Sequence, residues 1–260
     1  MNPPNHIAID VKNFRLGYGQ KVILENINFS VRRGEVFAIL GGSGCGKSTL
    51  LKHRVGLSPP MAGEVWFGPD NLVAVQDDER VRVLQKFGVM YQSGALFGSM
   101  TVLENVRLPL DEFTDLPAVA KEIVALTKLK LVAMEAAANK MPADLSGGMQ
   151  KRAAIARAMA LDPGILFLDE PSAGLDPITS AGLDALIKEL ARSLGITFVV
   201  VTHELASVFA IADRVIMLDA KTKGILAEGR PTELRDQSPD PWVRQFFNRE
   251  AEPAVATTAN

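Results

Sequence analysis

The feature that most constrains the fold is a glycine-rich loop between an apolar strand and a helix. Residues 35–40, EVFAIL, form a continuous apolar run that predicts a central strand covered on both faces. Residues 48–57, STLLKHRVGL, have helical spacing, and residues 41–48 between the two fit G-x-x-x-x-G-K-[ST]. Such glycines let successive backbone N–H groups point inward as an anion nest, and Lys47 would reach the β- and γ-phosphates of a nucleotide. Residues 35–57 therefore predict a strand, loop and helix that bind a nucleoside triphosphate.

Each position of this loop is expected to contact the nucleotide or its metal. The Ser48 hydroxyl is the expected Mg²⁺ ligand, and Thr49 extends the phosphate contact. We interpret Cys45 as a small residue at a variable position rather than as a redox switch, and a flexible glycine turn is the alternative for the loop as a whole. The expected contacts are Gly41, Gly42, Ser43, Gly44, Cys45, Gly46, Lys47, Ser48 and Thr49.

A second predicted strand ends in two carboxylates. In GILFLDEP (164–171), Asp169 and Glu170 follow an apolar run, so they are expected at the carboxyl edge of a sheet beside the glycine loop. Asp169 is the candidate Mg²⁺ ligand and Glu170 the candidate general base, a role worth about 10²–10⁴ in rate. Solvated turn carboxylates are the alternative, and the loop upstream favours the catalytic interpretation.

Strands and helices alternate along the rest of the chain, which predicts an α/β fold. Residues 7–14 indicate a strand, and a segment in which Ile27, Phe29 and Val31 alternate with polar residues indicates a half-exposed strand. Helix formers dominate from 93 to 160 and predict a helical subdomain inserted into the α/β core. Further buried strands are predicted at 87–92, 196–203 and 214–219, a hairpin arm at 222–230, and helices at 231–236 and 240–250.

Composition excludes several classes of protein. The chain has 260 residues and a net charge of -2, so it lacks the positive excess that drives nucleic-acid binding, and no nucleic-acid partner is expected. One cysteine and three scattered histidines (His6, His53 and His203) offer no disulfide and no zinc cluster. No apolar run approaches the about 18 residues that cross a bilayer, and no secretory signal is recognised. We expect a cytoplasmic protein.

The motif LSGGMQKR (145–152), just before the strand that ends in Asp169, resembles the signature of ATP-binding cassette (ABC) ATPases. The common form is LSGGQ, and Met149 stands here in place of the glutamine. Ser146 can cap a helix whose first N–H groups suit a phosphate. The resemblance implies that Ser146, Gly147 and Gly148 contact ATP bound to a second copy of the chain. It also implies a P-loop NTPase core with an antiparallel β subdomain and an inserted helical subdomain.

Other sequence motifs of the ABC family are matched in the family's order over about residues 7–235. Tyr18 fits the aromatic that stacks on adenine, although a turn tyrosine is the alternative. Gln92 fits the Q-loop glutamine that touches Mg²⁺ and the attacking water, and SAGLD (172–176) resembles the D-loop, in which Asp176 helps join two subunits. His203 resembles the switch histidine that contacts the γ-phosphate. We interpret His53, inside the loop helix, as structural.

A narrower resemblance points to the ATPases of Mla-type (Mce-associated) lipid transporters of Gram-negative envelopes. It rests on QSGALF after the Q-loop, LSGGM, DPIT after the D-loop and the tail SPDPWVRQFF (238–247), whereas SAGLD departs from the glutamine usual there. It implies ATP and Mg²⁺ as cofactors, a multi-spanning permease, a periplasmic MCE-domain protein and often a STAS-domain subunit. The chain would then lie on the cytoplasmic face of the inner membrane. Uptake of a polar solute, or a soluble non-transport ABC protein, are the alternatives.

Two surfaces are expected to meet partners. Ala95, Leu96 and Phe97 after the Q-loop predict an apolar patch for the permease, with ordinary subdomain core as the alternative. We divide the chain into an ATP-binding domain, 1–240, and a C-terminal helix and unstructured tail, 241–260. The aromatic face of that helix is hypothesised to pack on the neighbouring ATPase subunit, with its own domain as the alternative. That face holds Trp242, Val243, Phe246 and Phe247.

Overall fold

The computed structural model describes residues 6–42 and 44–250, without the side chains of Ser48, Lys52 and Arg54. The strands are β1 (Ile7–Tyr18), β2 (Lys21–Arg32), β3 (Val36–Gly41), β4 (Ala62–Phe67), β5 (Asp70–Asn71), β6 (Phe87–Met90), β7 (Ile165–Asp169), β8 (Thr197–Val201), β9 (Arg214–Asp219) and β10 (Gly224–Gly229). The helices are α1 (Lys47–Arg54), α2 (Asp77–Leu84), α3 (Val102–Phe113), α4 (Ala118–Leu131), α5 (Gly147–Ala158), α6 (Pro177–Leu194), α7 (Leu205–Ile211), α8 (Pro231–Gln237) and α9 (Pro241–Asn248).

The central sheet has the order β10-β9-β3-β8-β7-β6, in which all neighbours are parallel except β10. The middle strands β3 and β8 are buried along their whole length, as expected of apolar runs covered on both faces. Ile39 and Asp169 both pair with Val201, so β3, β8 and β7 end side by side. The predicted α/β fold is confirmed, and this shared edge positions the site described below.

A second, antiparallel sheet of order β2-β1-β4-β5 packs on one side of the first. Ile27, Phe29 and Val31 of β2 are buried while Asn26 and Asn28 are exposed, so the predicted alternation is confirmed. The side chain of Phe29 stacks on that of Phe37 in β3, with ring centroids 5.5 Å apart. The antiparallel subdomain expected from the ABC resemblance is therefore present, and β4, β5 and α2 were not predicted.

Between Met90 and Ile165 the described chain contains helices and turns but no strand. Helix α3 begins with a capping box, in which Thr101 Oγ1 accepts from the Glu104 N–H and the Glu104 carboxylate accepts from the Thr101 N–H. The buried Asn105 side chain bonds to both backbone groups of Phe97 and so ties the preceding loop to α3. The inserted helical subdomain is confirmed. Among the described helices, none has the length and apolar character needed to span a bilayer.

The C-terminal helix packs on its own domain. Val243 and Phe247 of α9 are buried in a cluster with Leu40 of β3 and Val215 of β9. Trp242 and Phe246 are half-buried against the same cluster, so the apolar face that we hypothesised to meet a neighbouring subunit packs largely on its own domain. Helices α8 and α9 pack against each other across the predicted boundary at residue 240. Residues 251–260 of the expected unstructured tail lie outside the described residues.

Candidate active site at the carboxyl edge of the central sheet

Four parallel strands bring the predicted site residues to one edge. Strand β3 runs into the glycine loop, β7 ends at Asp169, β8 leads to His203, and β6 leads to Gln92. These strands are adjacent in the order β3-β8-β7-β6, so segments far apart in sequence emerge together. The carboxyl edge of an open α/β sheet is where such folds bind ligands.

The glycine loop closes around the ammonium group of its own lysine. Lys47 Nζ donates to the Gly41 carbonyl at 2.8 Å and to the Gly42 carbonyl at 3.0 Å. A Cβ on Gly41 would lie 2.4 Å from Cys45 Sγ and 2.6 Å from the Leu218 carbonyl, so only glycine fits there. Burial raises the pKa of the Cys45 thiol, which fits a structural residue better than a redox switch. Ser43 and the Ser48 side chain lie outside the described residues.

Beside this loop, a cavity of about 420 Å³ is lined by an aromatic ring and by residues of the glycine loop. Tyr18 supplies the ring, and Lys47 and Thr49 line the cavity together with Gly44 and Gly46. This combination suits a nucleotide, whose base stacks on aromatic rings and whose phosphates need donors. Two lysines that the sequence analysis missed, Lys21 and Lys223, also line the cavity.

Tyr18 is held in place by a histidine behind it. The two rings of Tyr18 and His53 meet edge to face, with centroids 6.1 Å apart. His53 is buried, and its Nδ1 lies 2.9 Å from the Thr49 carbonyl within α1. The structural interpretation of His53 therefore agrees with its surroundings, and Tyr18 keeps one face open to the cavity.

Glu170 and His203, which are 33 positions apart in the sequence, are in direct contact. His203 Nδ1 lies 2.8 Å from Glu170 Oε1, and the Thr202 hydroxyl donates to Glu170 Oε2 at 3.2 Å. Because an ionised carboxylate only accepts, this contact places a proton on His203 Nδ1. Both oxygens of the candidate base are therefore oriented by residues that follow β8. The sequence analysis did not identify Thr202, which precedes His203 directly.

The backbone of Glu170 is strained into the position it occupies. Its φ of 47° lies in the left-handed region, which non-glycine residues rarely adopt. Its N–H donates to the Val201 carbonyl at 2.8 Å, and the residue is only 8% exposed. Such strain is maintained only when the surroundings determine the conformation, and it is concentrated at functional sites.

A second cavity of about 530 Å³ holds the oxygen donors expected for Mg²⁺. It is lined by Gln92 and Asp169 together with Tyr91, Ser93, Ala173 and Gly174. Carboxylate and amide oxygens fit this hard cation, which needs only one or two protein carboxylates when phosphates and water complete its shell. Within the described residues, no group of three or more His, Cys, Asp or Glu side chains could hold a metal alone. The donor set thus suits a metal shared with a phosphate.

The signature residues Ser146, Gly147 and Gly148 and the D-loop carboxylate Asp176 lie together and line neither of these two cavities, although Ala173 and Gly174 of the D-loop line the second one. Ser146 Oγ accepts from the Met149 N–H at 3.3 Å, so Ser146 caps α5 as expected. A Cβ on Gly148 would lie 2.4 Å from Thr179 Cγ2, and one on Gly147 would lie 3.3 Å from Leu175 Cδ2. Asp176 caps α6, and its hydrogen bonds from Thr179 lower its pKa. Within one chain, the signature residues and Asp176 therefore do not line the cavity that contains Lys47.

Comparisons with known proteins were made for the whole chain. A family model described as ABC transporter matches residues 24–173. The chain is 42% identical over 240 residues to the intermembrane phospholipid transport system ATP-binding protein MlaF of Escherichia coli K12, covering 92% of this chain and 88% of that protein. It is 40% identical to MlaF of Haemophilus influenzae, covering 96% and 94%. It is 37% identical to the probable ribonucleotide transport ATP-binding protein mkl of Mycobacterium leprae, covering 94% and 70%.

Solved structures share the fold. A dimeric, post-hydrolysis form of the ATP-binding cassette MJ0796, bound to ADP and Pi, superposes with a TM-score of 0.76 at 34% identity, covering 85% of this chain and 98% of that chain. CbiO1 of Clostridium perfringens, part of the complex cbiONQ, superposes with a TM-score of 0.81 at 30% identity, covering 90% and 92%. The arrangement of the two sheets and the helical insertion is thus that of a known nucleotide-binding fold.

Proposed function

The chain belongs to the ABC transporter family and is an ATPase of the cassette type, and we propose that it powers phospholipid transport across a Gram-negative envelope. The observation that best supports hydrolysis is the contact between Glu170 and His203 at the same sheet edge as the phosphate loop. Phospholipid as the cargo is supported by the 42% and 40% identity to proteins named for intermembrane phospholipid transport.

We assign each residue at the edge one task in hydrolysis. Lys47 and the N–H groups of the loop bind the triphosphate, and Tyr18 orients its base. Glu170 polarises the attacking water as general base, while His203 donates to its carboxylate and stays fixed beside it. Gln92 and Asp169, together with Ser48, would hold Mg²⁺, and the chemistry that this ion would supply is neutralisation of charge on the phosphates.

The working unit is proposed to be a pair of identical chains. Ser146, Gly147, Gly148 and Asp176 are placed near α6 and away from the cavity of Lys47, so ATP bound by one chain needs these groups from another. The dimeric form of MJ0796 supports this arrangement. The N-terminus of α5, capped by Ser146, would direct its positive end at the partner's γ-phosphate.

We propose that the permease docks in an apolar groove of about 560 Å³ beside the Q-loop. Ala95 and Phe97 line it, as expected, together with Phe113 of α3 and Leu84 of α2. Leu96 departs from the expected patch, because it packs against the core of the helical subdomain. Exposed aromatic rings in a concave apolar surface are typical of protein-binding sites.

Further partners and the location in the cell follow from the same proposal. A permease places the chain on the cytoplasmic face of the inner membrane. An MCE-domain protein, and in some systems a STAS-domain subunit, would complete the transporter. These assignments rest on the resemblance to Mla-type systems and on the relatives named MlaF.

The cargo is tested by reconstituting the chain with its permease in liposomes and measuring ATPase activity. Stimulation by phospholipid, with no response to nucleosides or amino acids, is the expected result. The second candidate, transport of a polar solute, is favoured by the relative named for ribonucleotide transport. Stimulation by a polar solute in place of phospholipid would support it and refute lipid transport.

A further inference from the structure

Two lysines in the described part of the chain are buried, and they lie in different surroundings. Lys128 of α4 is 8% exposed and forms an ion pair with Asp162 near the surface of the helical subdomain. Lys151 of α5 is 6% exposed, and its ammonium donates to backbone carbonyls. Burying an ammonium group costs free energy unless the group is hydrogen-bonded. The partners of its hydrogen bonds therefore indicate which groups it holds in place.

The carbonyls that Lys151 contacts belong to two residues of the active site. Lys151 Nζ donates to the Gln92 carbonyl and, at 3.3 Å, to the Glu170 carbonyl. Burial lowers the pKa of Lys151, while the charges of Asp169 and Glu170 oppose that change. Its side chain therefore lies behind the catalytic edge, between the loop after β6 and the end of β7.

The same helix holds the loop at a second place. Arg157, six residues further along α5, donates to the Gly94 and Ala95 carbonyls at 2.8 Å each. Lys151 and Arg157 thus fasten the segment from Gln92 to Ala95 to α5 from both ends. The N-terminus of this helix is the signature, so one rigid element links the signature, the Q-loop and the carbonyl of the candidate base.

We propose that Lys151 is a positioning residue for ATP hydrolysis, which ties the Gln92 and Glu170 backbones to the signature helix. This inference rests on the proposed roles of Gln92 and Glu170. The ammonium of Lys151 donates to the carbonyls of Gln92 and Glu170, so its effect is exerted through the two side chains whose backbones it fixes. Glu170 has a strained φ, so a donor at its carbonyl is one of the contacts that maintain its conformation.

The test compares Lys151→Met with Lys128→Met in the full-length chain, which makes the same chemical change at two buried lysines. Lys151→Met is expected to lower kcat about tenfold or more with ATP affinity within about twofold of wild type, because a hydrogen-bonded charge is lost behind the catalytic groups. Hydrogen exchange at residues 92–95 should rise in the same variant. Lys128→Met is expected to lower the melting temperature and leave kcat within about twofold.

A second variant separates positioning from folding. Lys151→Gln keeps an N–H donor in a smaller side chain and should recover most of the lost kcat. A kcat for Lys151→Met within twofold of wild type would overturn the inference. Failure of both Lys151 variants to fold, or equal losses in Lys151→Met and Lys128→Met, would show a structural role only and also overturn it. Absence of ATPase activity in the wild type would instead refute the proposed function.

Discussion

The catalytic edge and the apolar groove both adjoin the Q-loop, but their residues differ in burial and polarity. At the edge, Glu170 is almost fully buried and both of its oxygens are hydrogen-bonded. In the groove, Phe97 is 51% exposed and Phe113 53% exposed. Hydrolysis requires preorganised polar groups, whereas docking requires exposed apolar area that a partner can cover. The difference indicates that damage to the edge should change chemistry, and damage to the groove should change assembly.

The most severe test of this contrast is Glu170→Gln. The amide keeps the shape, its oxygen can still accept from His203 and its NH2 can donate to the Thr202 hydroxyl. The base is removed, so turnover should fall about 10²–10⁴-fold. ATP binding should persist and the dimer should accumulate, which size-exclusion chromatography with ATP can detect. Glu189→Gln, an exposed carboxylate on α6, is the matched control and should hydrolyse normally. Retained hydrolysis in Glu170→Gln would refute the assignment of the base.

Lys47→Ala tests the phosphate-binding loop at the catalytic edge. It removes a charge-assisted contact to the phosphates, so ATP affinity should fall about 10–100-fold. Titration with a fluorescent ATP analogue measures the change. Lys21→Ala is the comparison, because Lys21 lines the same cavity at its exposed rim and should have a smaller effect. Equal ATP affinity in Lys47→Ala and wild type would mean that the loop does not bind phosphate.

Phe97→Asp tests the groove. A carboxylate in the apolar surface would be desolvated by a docked partner, so permease affinity should fall about 30-fold or more. The measurement is co-purification of the permease together with the ATPase activity of the isolated chain, which should be unchanged. Phe113→Asp lies across the same groove and should act alike. Undiminished co-purification with Phe97→Asp would remove this surface from the interface.

Sequence reasoning predicted the edge better than the groove, for a physical reason. The glycine loop, Asp169, Glu170 and His203 each follow a buried strand, and parallel strands end at one edge, so local patterns predict their neighbourhood. The ABC family inferred from LSGGM and the D-loop is confirmed, and so is the fold class. Met149 in place of the usual glutamine donates its backbone N–H to Ser146 all the same, since capping depends on the backbone.

What the sequence did not reveal depends on packing between elements. Lys21 begins β2 and Lys223 lies in the turn before β10, and both line the nucleotide cavity because the antiparallel sheet packs on the central one. AGEVWF of β4 and DDERVRVL of α2 have weak periodicity, and their structure comes from their neighbours. The aromatic face of α9 has the same pattern whether it meets its own domain or another chain, and only the fold showed which.

Beneath the edge, Asp184 of α6 gives the smallest expected effect. It is 6% exposed, its Oδ1 accepts no hydrogen bond from the described residues, and burial raises its pKa although a hydrogen bond from Ser207 opposes this. A raised folded-state pKa stabilises the native state below about pH 4, and this contribution is lost as pH rises through the folded pKa. Asp184→Asn should therefore raise the free energy of unfolding at pH 7 by about 1 kcal/mol.

Asp176, at the start of the same helix, is expected to show an effect on stability of the opposite sign. The pKa of Asp176 is lowered by its capping bonds, so its contribution is present at neutral pH and lost on acidification, and Asp176→Asn should destabilise at pH 7. Urea unfolding of both variants between pH 2 and pH 8 should give differences of opposite sign at pH 7. The Asp184→Asn difference should shrink as pH falls toward 4, whereas the Asp176→Asn difference should shrink only below about pH 4. If Asp184→Asn also destabilised the protein at pH 7, the buried carboxylate of Asp184 would stabilise the native state. The hydrogen-bonded polar groups around Glu170 would then extend through Ser207 into α6.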